Sequence, residues 1–87
     1  MAQVAYAARA LDEIERARET TGVAEIQSAV EALAAHPLVG RRVEGDLREL
    51  VISFGALGYV ALYRFVVQRD EVRVLALRHQ REIGYLP

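Results

Sequence analysis

The sequence contains no cysteine and no lysine, and its charges nearly cancel. Without cysteine, the chain can form no disulfide, no thiolate nucleophile and no cysteine-ligated metal site. The eleven basic residues are all arginines and are opposed by twelve acids, which gives a net charge of −1. Proteins that hold nucleic acid mainly through phosphate contacts carry a clear positive excess. Direct binding to nucleic acid is therefore not expected.

Long apolar runs are also missing. The longest strongly apolar stretch is shorter than the ~18 residues that a membrane-spanning helix requires. The early part of the chain carries Asp12, Glu13 and Arg16 where a signal peptide would be apolar. We therefore expect a cytoplasmic protein that does not contact membranes. Because 53% of the 87 residues are hydrophobic, residues 1–87 are expected to form one small folded domain.

The first half of the chain has a helical pattern. Residues 3–6 favour a short strand, and two apolar stripes then recur at three- and four-residue steps, the spacing of one helix face. The stripes are formed by Ala7, Leu11, Ile14 and Ala17, and by Val23, Ile26, Val30 and Leu33. Thr20, Thr21 and Gly22 separate them, and Pro37 and Gly40 end the second. The short link predicts a helical hairpin.

The second half of the chain is rich in strand-forming residues. Segments 47–53, 59–67 and 72–79 read as strands joined by turns at 54–58 and 68–71, whereas 41–46 reads as a polar loop. Consecutive strands joined by tight turns predict an antiparallel meander. The predicted fold class is α+β, with a helical hairpin packed on a mainly antiparallel sheet.

Turn positions predict which side chains share a face of this sheet. The turn at 68–71 pairs Val67 with Val72 and Phe65 with Val74, and the turn at 54–58 pairs Leu50 with Leu62. Side chains alternate between faces, so a one-residue slip would exchange them. This register also sets Arg48 opposite Arg64, an unfavourable pair that an acid from a partner would relieve.

Both faces of the predicted sheet are apolar, although a sheet with one wet face should be polar on that side. One helical hairpin covers only one face. The second face is therefore expected to bind a partner or a second copy, or to be shielded by the chain ends. Its predicted members are Leu50, Ile52, Val60, Leu62, Arg64, Val66, Arg73, Leu75, Leu77 and His79.

Four short segments resemble one protein family when taken in order after the helical hairpin. They are His-Pro-Leu-Val-Gly-Arg at 36–41, Leu-Arg-Glu-Leu at 47–50, Gly-Tyr-Val-Ala-Leu-Tyr-Arg at 58–64 and Arg-His-Gln-Arg-Glu at 78–82. Together they resemble the RelE/ParE superfamily, the toxin halves of bacterial type II toxin–antitoxin pairs, also called plasmid-stabilisation proteins. The resemblance spans nearly the whole chain and implies a β-α-α-β-β-β fold.

The resemblance also implies a cognate antitoxin that wraps the toxin with an extended or helical segment. This agrees with the apolar second face. The residues predicted to bind the antitoxin are Leu50, Ile52, Val60, Leu62, Arg64, Leu75 and Leu77.

Two mechanisms are known in the superfamily. RelE-like members cleave mRNA in the ribosomal A site, and ParE-like members poison DNA gyrase. RNA cleavage needs a base, an acid and cations for the phosphate charge. The residues that could supply these groups are His79, Arg78, Arg81 and Tyr85, with Arg64 and Glu49 as further candidates.

Their arrangement favours the ParE-like mechanism. The predicted register places His79 opposite Val60, about 13 Å along a strand from Arg64. Similar nucleases carry a basic residue where Val60 stands. We therefore expect inhibition of DNA gyrase or another protein target, with no cofactor and no metal. Arg81 and Tyr85 would contact that target. The alternatives are RelE-like mRNA cleavage, which would reach nucleic acid through the ribosome, and a non-toxic dimerisation module.

Overall fold

A computed structural model describes residues 1–17, 23–54 and 57–79 of the chain. The helices in these ranges are α1 (Ala8–Ala17) and α2 (Val23–Ala35). The strands are β1 (Gln3–Tyr6), β2 (Arg41–Glu44), β3 (Leu47–Phe54), β4 (Leu57–Val66) and β5 (Glu71–His79). None of the described helices is long and apolar enough to cross a membrane. The predicted break at 20–22 and the predicted contact residues Arg81 and Tyr85 lie outside the described ranges.

The described strands form one sheet in the order β1-β5-β4-β3-β2. Strand β1 pairs in parallel with β5, and the other neighbours are antiparallel. The predicted α+β class is confirmed, as is the strand at residues 3–6. Because β1 extends the sheet sideways, it does not lie over the second face.

Both helices pack on one face of the sheet. Their buried contacts include Ile14 from α1 and Ile26, Val30 and Leu33 from α2. These residues meet the helix-covered face, whose buried members are Ile52, Tyr59, Ala61, Tyr63, Val72, Val74 and Leu77. The predicted stripe of α2 is confirmed at its three described side chains. In α1, however, Leu11 is exposed and Ala10 is buried, because the inward stripe runs through Ala10, Ile14 and Ala17.

Helix α1 also closes part of an open strand edge. Strand β1 pairs with β5 only as far as Val74, and no described strand lies beside the rest of β5 on that side. There the backbone N–H of Leu77 donates to the Glu13 carboxylate at 2.8 Å. An unpaired buried amide is costly, and this bond satisfies it while fixing α1 beside β5.

The segment predicted as a polar loop, residues 41–46, contains the additional strand β2. Arg41–Glu44 pairs with β3, and Gly45 and Asp46 form the turn between Glu44 and its partner Leu47. Gly45 adopts a φ of +56°, which glycine tolerates better than other residues. All four β2 side chains are exposed. The loop prediction was wrong because pairing with β3 forms this edge strand without the apolar alternation that marks a strand in a sequence.

The predicted register of β4 and β5 was also wrong. Phe65 pairs with Val72 because residues Val67–Arg69 form a 3-10 turn. This shift of two residues preserves the faces. A β-bulge then places both Leu75 and Ala76 opposite Leu62. Beyond the bulge the faces are exchanged, so Leu77 and His79 point to the helix-covered side and Ala76 to the other.

The pairing of β3 with β4 differs from the prediction by one residue. Leu50 pairs with Ala61 and Ile52 pairs with Tyr59. Leu50 and Ile52 therefore lie on the helix-covered face. The face predicted for Leu50, Ile52 and Leu77 is therefore corrected. Arg48 lies opposite Tyr63 rather than Arg64.

Candidate functional site

The face of the sheet that the helices leave uncovered, termed the open face, is the first candidate surface. Four of the predicted antitoxin-binding residues lie on it: Val60, Leu62, Arg64 and Leu75. The corrected register adds Leu47, Glu49, Val51, Ala76 and Arg78. Val60 and Ala76 are buried at 4% exposure, whereas Val51 is 51% exposed. The open face is therefore apolar, but less exposed at its centre than the sequence predicted.

Ion pairs neutralise several arginines on this face. Arg64 Nε lies 3.1 Å from Asp46 Oδ1. Arg73, which is directly opposite Arg64 in β5, binds the Glu71 carboxylate through Nε and a terminal nitrogen at 3.0 and 2.9 Å. Facing arginines repel each other unless acids join them. The chain itself supplies those acids, so Arg64 does not require the partner carboxylate that the sequence suggested.

A third ion pair joins Arg41 and Glu49 across β2 and β3. The Glu49 side chain is only 4% exposed, while that of Arg41 is 71% exposed. A buried carboxylate requires a charged or hydrogen-bonding partner, and Arg41 is one such partner. The sequence placed Glu49 among RNA-cleavage candidates. Its burial instead indicates a structural role in joining the edge strand to the sheet.

The described candidates for RNA cleavage lie on opposite faces. His79 is on the helix-covered face, with its ring edge-on to Tyr59 at a centroid distance of 5.3 Å. Arg78 is on the open face opposite Val60 and forms no ion pair with described residues. The sheet therefore separates these two groups. Within the described ranges, no cluster of three potential metal ligands occurs.

The second candidate surface is the 36–40 loop, which connects α2 to β2. The Tyr63 hydroxyl accepts a hydrogen bond from the Gly40 N–H and donates one to the Pro37 carbonyl, both at 2.8 Å. Arg48 donates to the carbonyls of Gly40 and Leu38 at 2.8 and 3.2 Å. Residues from three of the sequence motifs thus meet at one place and fix this loop.

Burial controls the chemistry of this tyrosine. Removal from water raises the pKa of Tyr63 above its usual value of 10.0, although the Gly40 N–H and the Arg48 charge act in the opposite direction. The phenol therefore remains protonated at neutral pH. It keeps the proton that it donates to Pro37.

The fixed loop displays apolar side chains. Leu38 and Val39 are 59% and 61% exposed, and with His36 and Pro37 they line a shallow depression of about 410 Å³.

The packing beneath this loop requires glycine at position 40. A Cβ atom there would lie 2.6 Å from the Tyr63 ring and hydroxyl and 2.8 Å from the Glu49 carbonyl oxygen. The glycine allows close packing under the loop.

Comparisons with known proteins agree with this architecture. The chain is 47% identical to toxin RelE3 of Caulobacter vibrioides over 57 residues, which are 66% of this chain and 60% of that protein. The chain thus spans about three fifths of the length of this relative. Its fold is similar to the Escherichia coli RelBE toxin–antitoxin complex (TM-score 0.75, 16% identity, 90% of this chain and 95% of that chain). It is also similar to the Mycobacterium tuberculosis RelBE2 complex (TM-score 0.68, 21% identity, 91% and 98%).

The family assignment rests on a match that covers most of the sequence. Residues 4–84 match the family described as the ParE toxin of the type II toxin–antitoxin system parDE. The resemblance to the RelE/ParE superfamily is thereby confirmed. The chain belongs to the ParE toxin family of type II toxin–antitoxin systems.

Proposed function

We propose that the chain is a toxin that inhibits a protein target such as DNA gyrase by direct contact, and that a cognate antitoxin silences it. The observation that carries the proposal is the charge state of the open face. Arg41, Arg64 and Arg73 each pair with an acid of the same chain. A surface that binds mRNA phosphates needs cations that are not already paired with acids, whereas these three arginines are paired.

The separation of His79 from the open face supports the same proposal. A general base must lie within hydrogen-bonding reach of the proton that it removes. A substrate on the open face, near Arg78, would have the sheet between itself and the His79 ring. Inhibition through a protein contact requires no such convergence of groups.

We propose the open face as the antitoxin surface. Leu62 and Leu75, which are half-buried, supply its accessible apolar part, and the buried Val60 lies beneath them. Arg64 supplies a guanidinium whose terminal nitrogens form no bond to described residues. Val51 extends the patch toward solvent. Two of the structurally similar proteins were solved as toxin–antitoxin complexes, which supports such a partner. Arg81 and Tyr85 remain the proposed target contacts.

One observation favours the competing function, RelE-like mRNA cleavage. Arg78 carries a charge that no described acid neutralises, and it lies on the open face beside Val60. This cation could contact a phosphate if the mRNA lay across that face. The test must therefore distinguish damage to DNA metabolism from arrest of translation.

The proposed function is tested by inducing the chain in bacteria without its antitoxin, in the original form and as His79→Ala. We expect filamentation and an SOS response while translation continues. The His79→Ala variant should be as toxic as the original chain, provided that its thermal melt shows it folded. A rapid stop in translation that His79→Ala abolishes would establish the nuclease instead. A harmless chain would indicate the non-toxic dimerisation module.

A further inference from the structure

A second pair of facing arginines lies at the β2 edge of the sheet. Arg42 and Arg48 are direct cross-strand partners in β2 and β3, on the side that carries Tyr63. Arg42 Nε donates to the Gly45 carbonyl at 2.8 Å, and Arg48 donates to the carbonyls of the 36–40 loop. Neither guanidinium forms an ion pair with a described carboxylate. We term these two residues the edge arginine pair.

Comparison with the open face shows why this pair is unusual. Like charges directly opposite each other across strands are destabilising. The corresponding pair on the open face, Arg64 and Arg73, is neutralised by two acids. The edge arginine pair has only carbonyl oxygens, which orient the guanidinium groups but do not cancel their charge. An anion bound there would relieve repulsion that the described chain leaves in place.

The edge arginine pair lies beside exposed apolar side chains and beside the outer edge of strand β2. Leu38 and Val39 project from the fixed 36–40 loop, and Val43 on β2 is also about half exposed. Strand β2 has a described neighbour on one side only, namely β3. Unpaired backbone groups along such an edge can bond an added strand. An extended segment along β2 would therefore find backbone partners, aliphatic side chains and two cations.

We infer that this edge binds an extended segment of a protein partner that carries a carboxylate between aliphatic side chains. Arginine binds carboxylates through two parallel hydrogen bonds, which suits the fork of Arg42. The fixed loop also reduces the ordering cost of binding. A phosphate backbone fits less well, because the Glu44 carboxylate in β2 would repel it. The exposed Leu38 and Val39 side chains also provide no hydrogen-bond donor for a phosphate. The inference holds whichever target the toxin inhibits.

The test uses two synthetic peptides and the full chain labelled with ¹⁵N. One peptide is acetyl-Leu-Asp-Val-Asp-Leu-amide, and the other replaces both aspartates with asparagine. We expect the acidic peptide to shift the backbone amides of residues 38–44. It should bind at least about tenfold more tightly than the neutral peptide, as lost hydrogen bonds to charged groups imply.

Two variants locate the charge effect. In Arg42→Gln the preference for the acidic peptide should disappear, whereas Arg69→Gln should keep it. Arg69 is a matched control because it is an exposed arginine in the turn between β4 and β5. Equal binding of the two peptides, an unchanged preference in Arg42→Gln, or no shift from either peptide at millimolar concentration would overturn the inference. Tighter binding of pentauridylate at the same amides would assign the edge to RNA, which also overturns it.

Discussion

Replacing Gly40 with alanine will lower the free energy of unfolding by about 2–3 kcal/mol, as for overpacking of a filled site. The added Cβ would lie 2.6 Å from Tyr63 and 2.8 Å from the Glu49 carbonyl oxygen. Neither neighbour can move cheaply. Tyr63 is fully buried and bonded to the 36–40 loop, and Glu49 is paired with strands on both sides, β2 and β4. The change also strains the hydrogen bond from the Gly40 N–H.

Thermal unfolding followed by circular dichroism measures this effect. For a domain of this size, 1 kcal/mol corresponds to a shift in Tm of about 4–8 °C, so Gly40→Ala should melt at least about 8 °C lower. Gly45→Asn is the control, since no atom lies within 4 Å of a Cβ there and asparagine tolerates positive φ. It should melt within a few degrees of the original chain. An unchanged Tm for Gly40→Ala would contradict the close packing of Gly40 against Tyr63 and the Glu49 carbonyl.

Replacing Val51 with aspartate will weaken binding of the cognate antitoxin by about 30-fold or more, because a carboxylate would be desolvated in an apolar contact. Val51 lies on the open face opposite Val60 and is 51% exposed. The free toxin should therefore tolerate the change. Titration calorimetry with the antitoxin encoded beside the toxin gives the dissociation constants.

Val67→Asp is the matched control for this experiment. Val67 is 70% exposed but lies in the 3-10 turn, beyond Val66, the last paired residue of β4. Its variant should bind the antitoxin with nearly the original affinity. Equal weakening in both variants would mean that added negative charge, rather than the open face, determines binding. Full affinity in Val51→Asp would place the antitoxin elsewhere.

The sequence was sufficient to predict the class of fold and most of its elements. Local sequence patterns predict the apolar stripe of α2 and the strand at 3–6, and the structure confirms both. These features depend on periodicity within one segment, which a single sequence contains.

The face assignments required information that no local pattern carries. The bulge at Leu75 and Ala76 reverses the faces beyond it, although both residues look like ordinary strand formers. A one-residue difference in the pairing of β3 and β4 moved Leu50 and Ile52 into the core and brought Glu49 and Val51 onto the open face. Register is a property of two strands together, so it could not be fixed from either one.

The membership of the open face was accordingly predicted only in part. Val60, Leu62, Arg64 and Leu75 were placed on the correct face. The edge arginine pair could not be foreseen, because Arg42 was predicted to lie in a loop and gains its cross-strand partner only when β2 forms. The compensation of Arg64 by Asp46 likewise depends on the β2–β3 turn.

The most direct test of the proposed mechanism compares two purified reactions. The chain is added to DNA gyrase with relaxed plasmid, and separately to ribosomes translating a defined mRNA. We predict loss of supercoiling, or gyrase-dependent DNA breaks, with the mRNA intact. Cleavage of the mRNA in the ribosomal A site while gyrase remains active would contradict the account and identify the chain as a ribosome-dependent nuclease.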